Sequence, residues 1–183
     1  MQQKSWVRLK QRCKKKSLRK LGDWLTGKTA ALLGASAAIG AIAGGADDAT
    51  AAALGECGRL LGLAFQVQDD VLGIWGEESL TGKPVADDIR SRKRSFPIAW
   101  AFEHLRGDAA STLAHIYASA TISEDDVETV ISLLEEADAR AVSTETAERY
   151  AASALELLRP LRLDAERRAD IEALAAFFVH RSA

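Results

Sequence analysis

Phe65-Gln66-Val67-Gln68-Asp69-Asp70-Val71-Leu72-Gly73 sets two adjacent carboxylates inside an apolar run. With Leu60, Leu61 and Leu63 before it, the stretch looks like a buried helix. On a helix, residues three and four apart share a face, so Gln66, Asp69, Asp70 and position 73 form one polar stripe. Neighbouring carboxylates in such a setting repel and desolvate badly unless positive charge lies between them. Magnesium suits that place, because it is a hard ion that commonly takes one or two carboxylates plus substrate phosphate oxygens. An Asp-Asp pair alone is ordinarily a solvated surface pair. The cationic stretch that follows gives this one its weight.

From Gly73 to Phe96 the chain has no clean period and contains Gly76, Gly82 and Pro84, so it reads as a long loop, a kind of segment that is disproportionately functional. It carries Thr81-Gly82-Lys83-Pro84, then Asp88 and Lys93, with Arg90, Arg92 and Arg94 nearby. Lys83, Lys93 and these arginines are candidates for holding the phosphate charge that a metal leaves unbalanced.

These motifs in this order resemble the second aspartate-rich region of the polyprenyl synthetase family, the trans-type isoprenyl diphosphate synthases: Phe-Gln-x-x-Asp-Asp, Gly-Lys-Pro, then Asp88 followed by Lys93-Arg94-Ser95-Phe96-Pro97. Gly27-Lys28-Thr29-Ala30 resembles the family's preceding Lys-Thr helix, and Tyr150-Ala151 with Leu174 to Arg181 is similar to its last helices. The resemblance implies an all-α bundle of the isoprenoid synthase type. It implies that Lys28, Thr29, Gln66, Lys83 and Lys93 contact the allylic diphosphate, with Lys28, Thr29 and Gln66 catalytic. It also implies that Asp69 and Asp70 reach Mg2+ and that Asp88 supports the nearby lysine. The implied reaction ionises an allylic prenyl diphosphate and joins the cation to isopentenyl diphosphate, with metal and lysines stabilising the leaving group.

Two departures stand out. The family's usual motif ends in a third Asp where this chain has Gly73; a sub-group that it also resembles in reading Leu72-Gly73-Ile74-Trp75-Gly76 lacks that acid. The larger one is that no first aspartate motif precedes Lys28. Asp47-Asp48 lies on the wrong side of it and reads as a helix cap. Residues 1–26 instead read as a basic extension, with Lys4, Arg8, Lys10, Arg12, Lys14, Lys15, Lys16, Arg19 and Lys20 preceding the first acid, Asp23. A basic arm can bind nucleic acid or an anionic membrane, but the favoured reading is a disordered or marginal extension with no nucleic-acid role. Residues 27–183 are then the C-terminal part of a synthase domain truncated on its N-terminal side, and isopentenyl diphosphate binds only if the missing half is supplied, through a homo- or hetero-oligomer.

Composition agrees with one soluble helical domain: 183 residues, 48% hydrophobic, 3 Pro and a net charge of -2. Cys13 and Cys57 have no ligand spacing, which makes a reducing cytoplasm the default. His104, His115 and His180 stand without metal-ligand partners in the sequence and read as plain helix residues. Thr29 to Ala46 is uncharged, but its Gly34, Ala38, Gly40 and Gly44 describe a helix pressed against neighbours rather than a membrane span. Helix starts follow at Pro97, Asp108, Ser123 and Asp164, with an amphipathic stretch from Thr144 to Leu158 ended by Pro160. Three functions compete on this reading: a prenyltransferase of which this chain is an incomplete part, a non-catalytic subunit or truncated remnant keeping half of the diphosphate site, and a class I terpene cyclase. Lys28-Thr29 and Gly82-Lys83-Pro84 argue against the cyclase.

Overall fold

The computed structural model of the chain describes residues 29–82 and 84–180, and among them there is helix and no strand. Helix α1 (Ala31–Ala43) leads through a short turn into α2 (Asp48–Trp75), the longest element. The Asp47-Asp48 pair does cap this helix: Asp47 Oδ1 accepts the Thr50 N–H at 2.7 Å, satisfying one of the amides a helix start leaves open. The basic opening segment, Lys28 and Lys83 lie outside the described residues.

Glycine decides how α1 meets α2. A Cβ on Gly58 would stand 2.7 Å from the Leu33 carbonyl oxygen, and one on Gly62 would stand 2.6 Å from Ala30 Cα. With Gly34 against the Gly55 carbonyl, the order of these contacts runs the two helices antiparallel with their backbones nearly touching. The close-packed helix read from the sequence is therefore present, but on one face only. The other face of α1 exposes Leu32, Ile39 and Ile42, each more than 60% accessible.

The stretch after Gly73 is more ordered than a loop. Helix α2 continues through Gly73 to Trp75, because a single helical glycine costs only about 1 kcal/mol against the packing of Val71 and Ile74. Two one-turn helices, α3 (Glu78–Thr81) and α4 (Asp87–Arg90), then punctuate the connection. The Ala86 N–H donates to the Ile74 carbonyl at 3.2 Å, which ties α4 back to the last turns of α2.

Helices α5 (Phe96–His104), α6 (Gly107–Ala118), α7 (Glu124–Glu136), α8 (Ala139–Glu156) and α9 (Ala165–His180) complete the bundle. Pro97 sits in the first turn of α5, where its missing N–H is not needed. Ser123 and Asp126 form a reciprocal capping box at α7. Asp164 accepts the Arg167 N–H at 2.8 Å ahead of α9. Helix α8 starts at Ala139, ahead of the stretch read as amphipathic, because Ala139, Ser143, Thr146 and Ala147 bury a face of small residues that hydrophobicity alone does not mark.

Helix α2 threads all three parts of the core. Its Ile74 meets Ile89, Ile98, Leu113, Val130 and Leu134; its Leu61 and Ala64 meet Ala154, Leu158 and Phe178; and Leu63 and Val67 lie between, against Phe96 and Ala147. Each large aliphatic chain buried in this way contributes roughly 1.5–3 kcal/mol. The polar stripe of α2 is thus held on a helix packed along its length by α1, α8, α9 and α5.

Candidate diphosphate site

Asp70 is fully buried, and both of its oxygens are engaged. Oδ2 accepts the Phe96 N–H at 2.8 Å; Oδ1 lies 3.0 Å from Lys93 Nζ and 3.3 Å from the Gln66 Nε2 donor. Gln66 Oε1 in turn accepts the Thr29 hydroxyl at 3.2 Å. Lys93 Nζ also stands 2.9 Å from Asp88 Oδ2, a buried oxygen for which this contact is an ion pair rather than an aligned hydrogen bond. The structure therefore brings Thr29, Gln66, Asp70, Asp88 and Lys93 into one connected cluster. Asp69 lies beside it, partly buried, one residue before Asp70 on α2.

Each element places its residue for a local reason. α2 supplies Gln66 and Asp70 from one face, four residues apart. Ser95 is the N-cap residue of α5, so the Phe96 N–H is one of the first-turn amides without a helical acceptor, and Asp70 provides one. Lys93 comes just after the α4 turn, beyond Ser91 and Arg92, and its N–H donates to the Asp88 carbonyl at 2.9 Å, closing a turn from which both side chains meet. Neither the Phe96 amide nor the role of Ser95 was read from the sequence. The signal was present in Ser95-Phe96-Pro97, a helix start whose opening amide needs an acceptor from elsewhere.

Electrostatics follow the burial. Removal from water pushes the Asp70 carboxyl up from its ordinary value, opposed by the Lys93 charge and the Phe96 N–H. Burial alone would lower Lys93, but the Asp70 and Asp88 carboxylates outweigh it and hold the ammonium above the ordinary lysine value. Burial, with the Asp88 charge adding to it, raises the nearby Tyr117 phenol. Lys93 keeps 30% of its side chain accessible while Asp70 keeps none, so the cluster presents cation outward and carboxylate inward.

Two of the arginines in the stretch are occupied. Arg90 holds Glu124 with two hydrogen bonds at 2.9 and 2.7 Å and also donates to the Val85 carbonyl, and Arg92 donates to the Ser119 carbonyl. These contacts fasten the α4 turn to α6 and α7. Arg94 is exposed. His104 stacks on Trp100 with centroids 3.5 Å apart and bonds to the Trp100 carbonyl, in keeping with a plain helix residue.

Among the described residues no group of three or more His, Cys, Asp and Glu gathers as a metal cage. Magnesium does not need one. It is commonly held by one or two carboxylates with phosphate oxygens and water completing the octahedron. Asp69 fits that donor chemistry, while Asp70 has its oxygens committed to Lys93, Gln66 and the Phe96 amide.

The family model for polyprenyl synthetase matches residues 2–134. The chain belongs to the polyprenyl synthetase family. It is 38% identical over 161 residues to a (2E,6E)-farnesyl diphosphate synthase of Mycobacterium tuberculosis, covering 86% of this chain and 45% of the relative. It is 42% identical over 156 residues to a geranylgeranyl diphosphate synthase of the same organism, covering 85% and 43%. Among solved structures it superposes on a geranylgeranyl pyrophosphate synthetase of Pyrococcus horikoshii with a TM-score of 0.82 at 33% identity, covering 91% of this chain and 50% of the other. A polyprenyl synthetase of Streptomyces coelicolor gives 0.79 at 38% identity, covering 84% and 47%. The chain spans about half the length of the relatives it matches. No described helix is long and apolar enough to cross a membrane.

Proposed function

We propose that this chain supplies one wall of a prenyl diphosphate synthase site, the wall that takes an allylic diphosphate. A complete assembly containing it condenses that substrate with isopentenyl diphosphate. The observation that carries the reading is the Lys93 ammonium, fixed between Asp70 and Asp88 beside the Thr29–Gln66 hydrogen bond and still open to solvent on one side. A buried carboxylate pair that orients a lysine toward an open face is suited to an anionic ligand.

In this reading Lys93, Lys28 and Lys83 hold the diphosphate oxygens, and Thr29 and Gln66 offer hydroxyl and amide donors. Asp69 and Asp70 are the carboxylates that would reach magnesium, and Asp70 also sets the lysine. Magnesium supplies charge neutralisation that makes diphosphate a better leaving group. As the allylic C–O bond breaks, its electron pair leaves with the diphosphate, and the prepositioned Lys93 charge stabilises the growing negative charge without rearranging. The isopentenyl double bond then bonds to the allylic carbon, and loss of a proton from the adduct restores an alkene. A reducing cytoplasm is the compartment in this reading, in keeping with the unpaired, buried Cys57.

A second reading, a non-catalytic subunit that works with a partner, is favoured by the exposed Leu32, Ile39 and Ile42 on α1. One experiment addresses both. The purified chain is titrated with farnesyl diphosphate with and without magnesium, then assayed with labelled isopentenyl diphosphate. Magnesium-dependent binding that weakens at least tenfold in both Asp69→Ala and Lys93→Met supports the site. Absence of such binding overturns it. Binding without chain elongation is the outcome expected of one wall that needs its complement, and steady turnover by the isolated chain overturns the incomplete-site reading.

A further inference from the structure

Arg92 has a φ of 54°, in the left-handed region that an ordinary side chain enters only at a cost and that glycine enters freely. It comes directly after Ser91, the residue that ends α4. Its N–H donates to the Ile89 carbonyl at 2.9 Å, and the next N–H, that of Lys93, donates to the Asp88 carbonyl at 2.9 Å. These two bonds around a left-handed residue are the Schellman ending of a helix, in which the left-handed place is usually glycine. The chain therefore holds an arginine where the turn itself favours no side chain.

The arginine side chain has its own anchor. Its guanidinium donates to the carbonyl of Ser119, the cap residue that closes α6. Carbonyls at a helix end lack partners within the helix, and the negative end of the dipole favours a cation there. Glycine would make the same turn without strain, but it could not reach α6. The next residue is Lys93, whose ammonium lies 3.0 Å from Asp70 and 2.9 Å from Asp88. We propose that Arg92 is a positioning residue for Lys93: its left-handed backbone closes the turn that returns the lysine to both carboxylates, and its bond to Ser119 holds that turn against relaxing. Arg92 acts through the backbone beside Lys93, and its own charge does not touch the ligand. The ligand side of the inference rests on the diphosphate reading above; the backbone side does not.

Two substitutions that both remove the charge separate this role from that of a phosphate ligand. Arg92→Met keeps a long side chain in the left-handed place and loses the anchor, so the turn relaxes and Lys93 shifts. Arg92→Gly also loses the anchor but keeps the turn at no conformational cost. Amide hydrogen exchange, measured by NMR on the full-length chains, reads the backbone directly. Protection of the Lys93 amide is expected to fall about tenfold in Arg92→Met and to stay within about threefold of wild type in Arg92→Gly. Tm is expected to be roughly 3 °C higher for Arg92→Gly than for Arg92→Met, the reverse of what an exposed position without strain gives. Equal protection in all three chains, or equal loss in both variants, overturns the inference.

Affinity for inorganic pyrophosphate with magnesium, measured by calorimetry on the same chains, reads the effect on the site. Arg92→Met is expected to weaken binding about tenfold and Arg92→Gly to retain most of the affinity, because only the first displaces Lys93. Arg92→Gly as weak as Arg92→Met, with the Lys93 amide still protected, would make Arg92 a direct charge on the ligand and overturn the positioning role. If the wild-type chain itself does not bind pyrophosphate, the diphosphate reading fails, while hydrogen exchange and the melts still judge Arg92.

Discussion

Lys93 Nζ lies 3.0 Å from Asp70 Oδ1, joining a partly exposed ammonium after α4 to a carboxylate that is fully enclosed on α2. The same carboxylate caps the Phe96 amide at α5, so one side chain fixes three elements. Asp70→Ala strands the amide and leaves Lys93 with Asp88 alone, and should cost about 3 kcal/mol, the low end for breaking a buried pair because Lys93 retains water. Asp70→Asn can still accept the Phe96 N–H through its amide oxygen and should cost roughly half as much. Urea unfolding of the three proteins measures both. Equal costs for Ala and Asn would show that the amide contact is energetically idle.

Lys93 itself bridges two carboxylates at 3.0 and 2.9 Å, a geometry for a compact point charge. The planar guanidinium of Lys93→Arg preserves charge but does not fit between them, so the substitution should weaken magnesium pyrophosphate binding nearly as much as Lys93→Met. Stability separates the two. Lys93→Met leaves Asp70 and Asp88 facing each other unpaired, at a cost of about 3 kcal/mol, part of which a second Asp88→Asn substitution should recover. Calorimetry and urea midpoints check these outcomes, and Lys93→Arg with wild-type affinity would contradict the first.

Acid should act on the caps and on Asp70 in opposite directions. Backbone and side-chain hydrogen bonds from Ser123 hold Asp126 below the ordinary 3.8, and those from Thr50 do the same for Asp47. A depressed folded value means stability that is present above 3.8 and is lost as pH falls through the folded value. Burial raises Asp70, so protonating it in the folded chain is favoured over the unfolded one, and this group adds stability as pH falls below its folded value. Urea unfolding followed from pH 6 to acid should therefore show a shallower acid loss in Asp126→Asn and a steeper one in Asp70→Asn than in the wild type. Identical slopes would show that neither carboxyl is coupled to folding as the geometry implies.

The helical class and the run of caps were legible because each leaves a local mark, an apolar period or a Ser or Asp at a start, and Thr29, Gln66, Asp70, Asp88 and Lys93 were marked as candidates by the order of their motifs. What was not legible depends on contacts between distant segments. The Asp88 carboxyl packs against Gly73 without any mark in the sequence, and the stretch after Gly73 reads as loop because its short helices are held by Ala86, Arg90 and Arg92 through partners far along the chain. Arginines near a phosphate motif read as ligands until Glu124 and the Ser119 carbonyl claim two of them. The start of α8 was missed because its buried face is built from Ala, Ser and Thr, which pack by size rather than by hydrophobicity.

Glycines on α1 and α2 give a last test, because the same residue type should respond with opposite signs. A Cβ on Gly62 would meet Ala30 Cα at 2.6 Å and Ala30 N at 3.1 Å, so the obstruction is backbone and the helices must part. Ala30 adjoins Thr29, whose hydroxyl reaches Gln66 at 3.2 Å, and a displacement there moves Thr29 away from the cluster. Gly62→Ala should therefore cost about 1–3 kcal/mol and also weaken magnesium pyrophosphate binding. Gly40 lies on the exposed side of α1 with nothing within 4 Å of its would-be Cβ. There the substitution only relieves a helix interior of glycine, so Gly40→Ala should stabilise by roughly 0.5–1 kcal/mol and leave binding unchanged. Urea midpoints and pyrophosphate calorimetry on the two variants check this. A Gly62→Ala chain as stable as the wild type would mean that α1 and α2 are not in the close contact on which the placement of Thr29 depends.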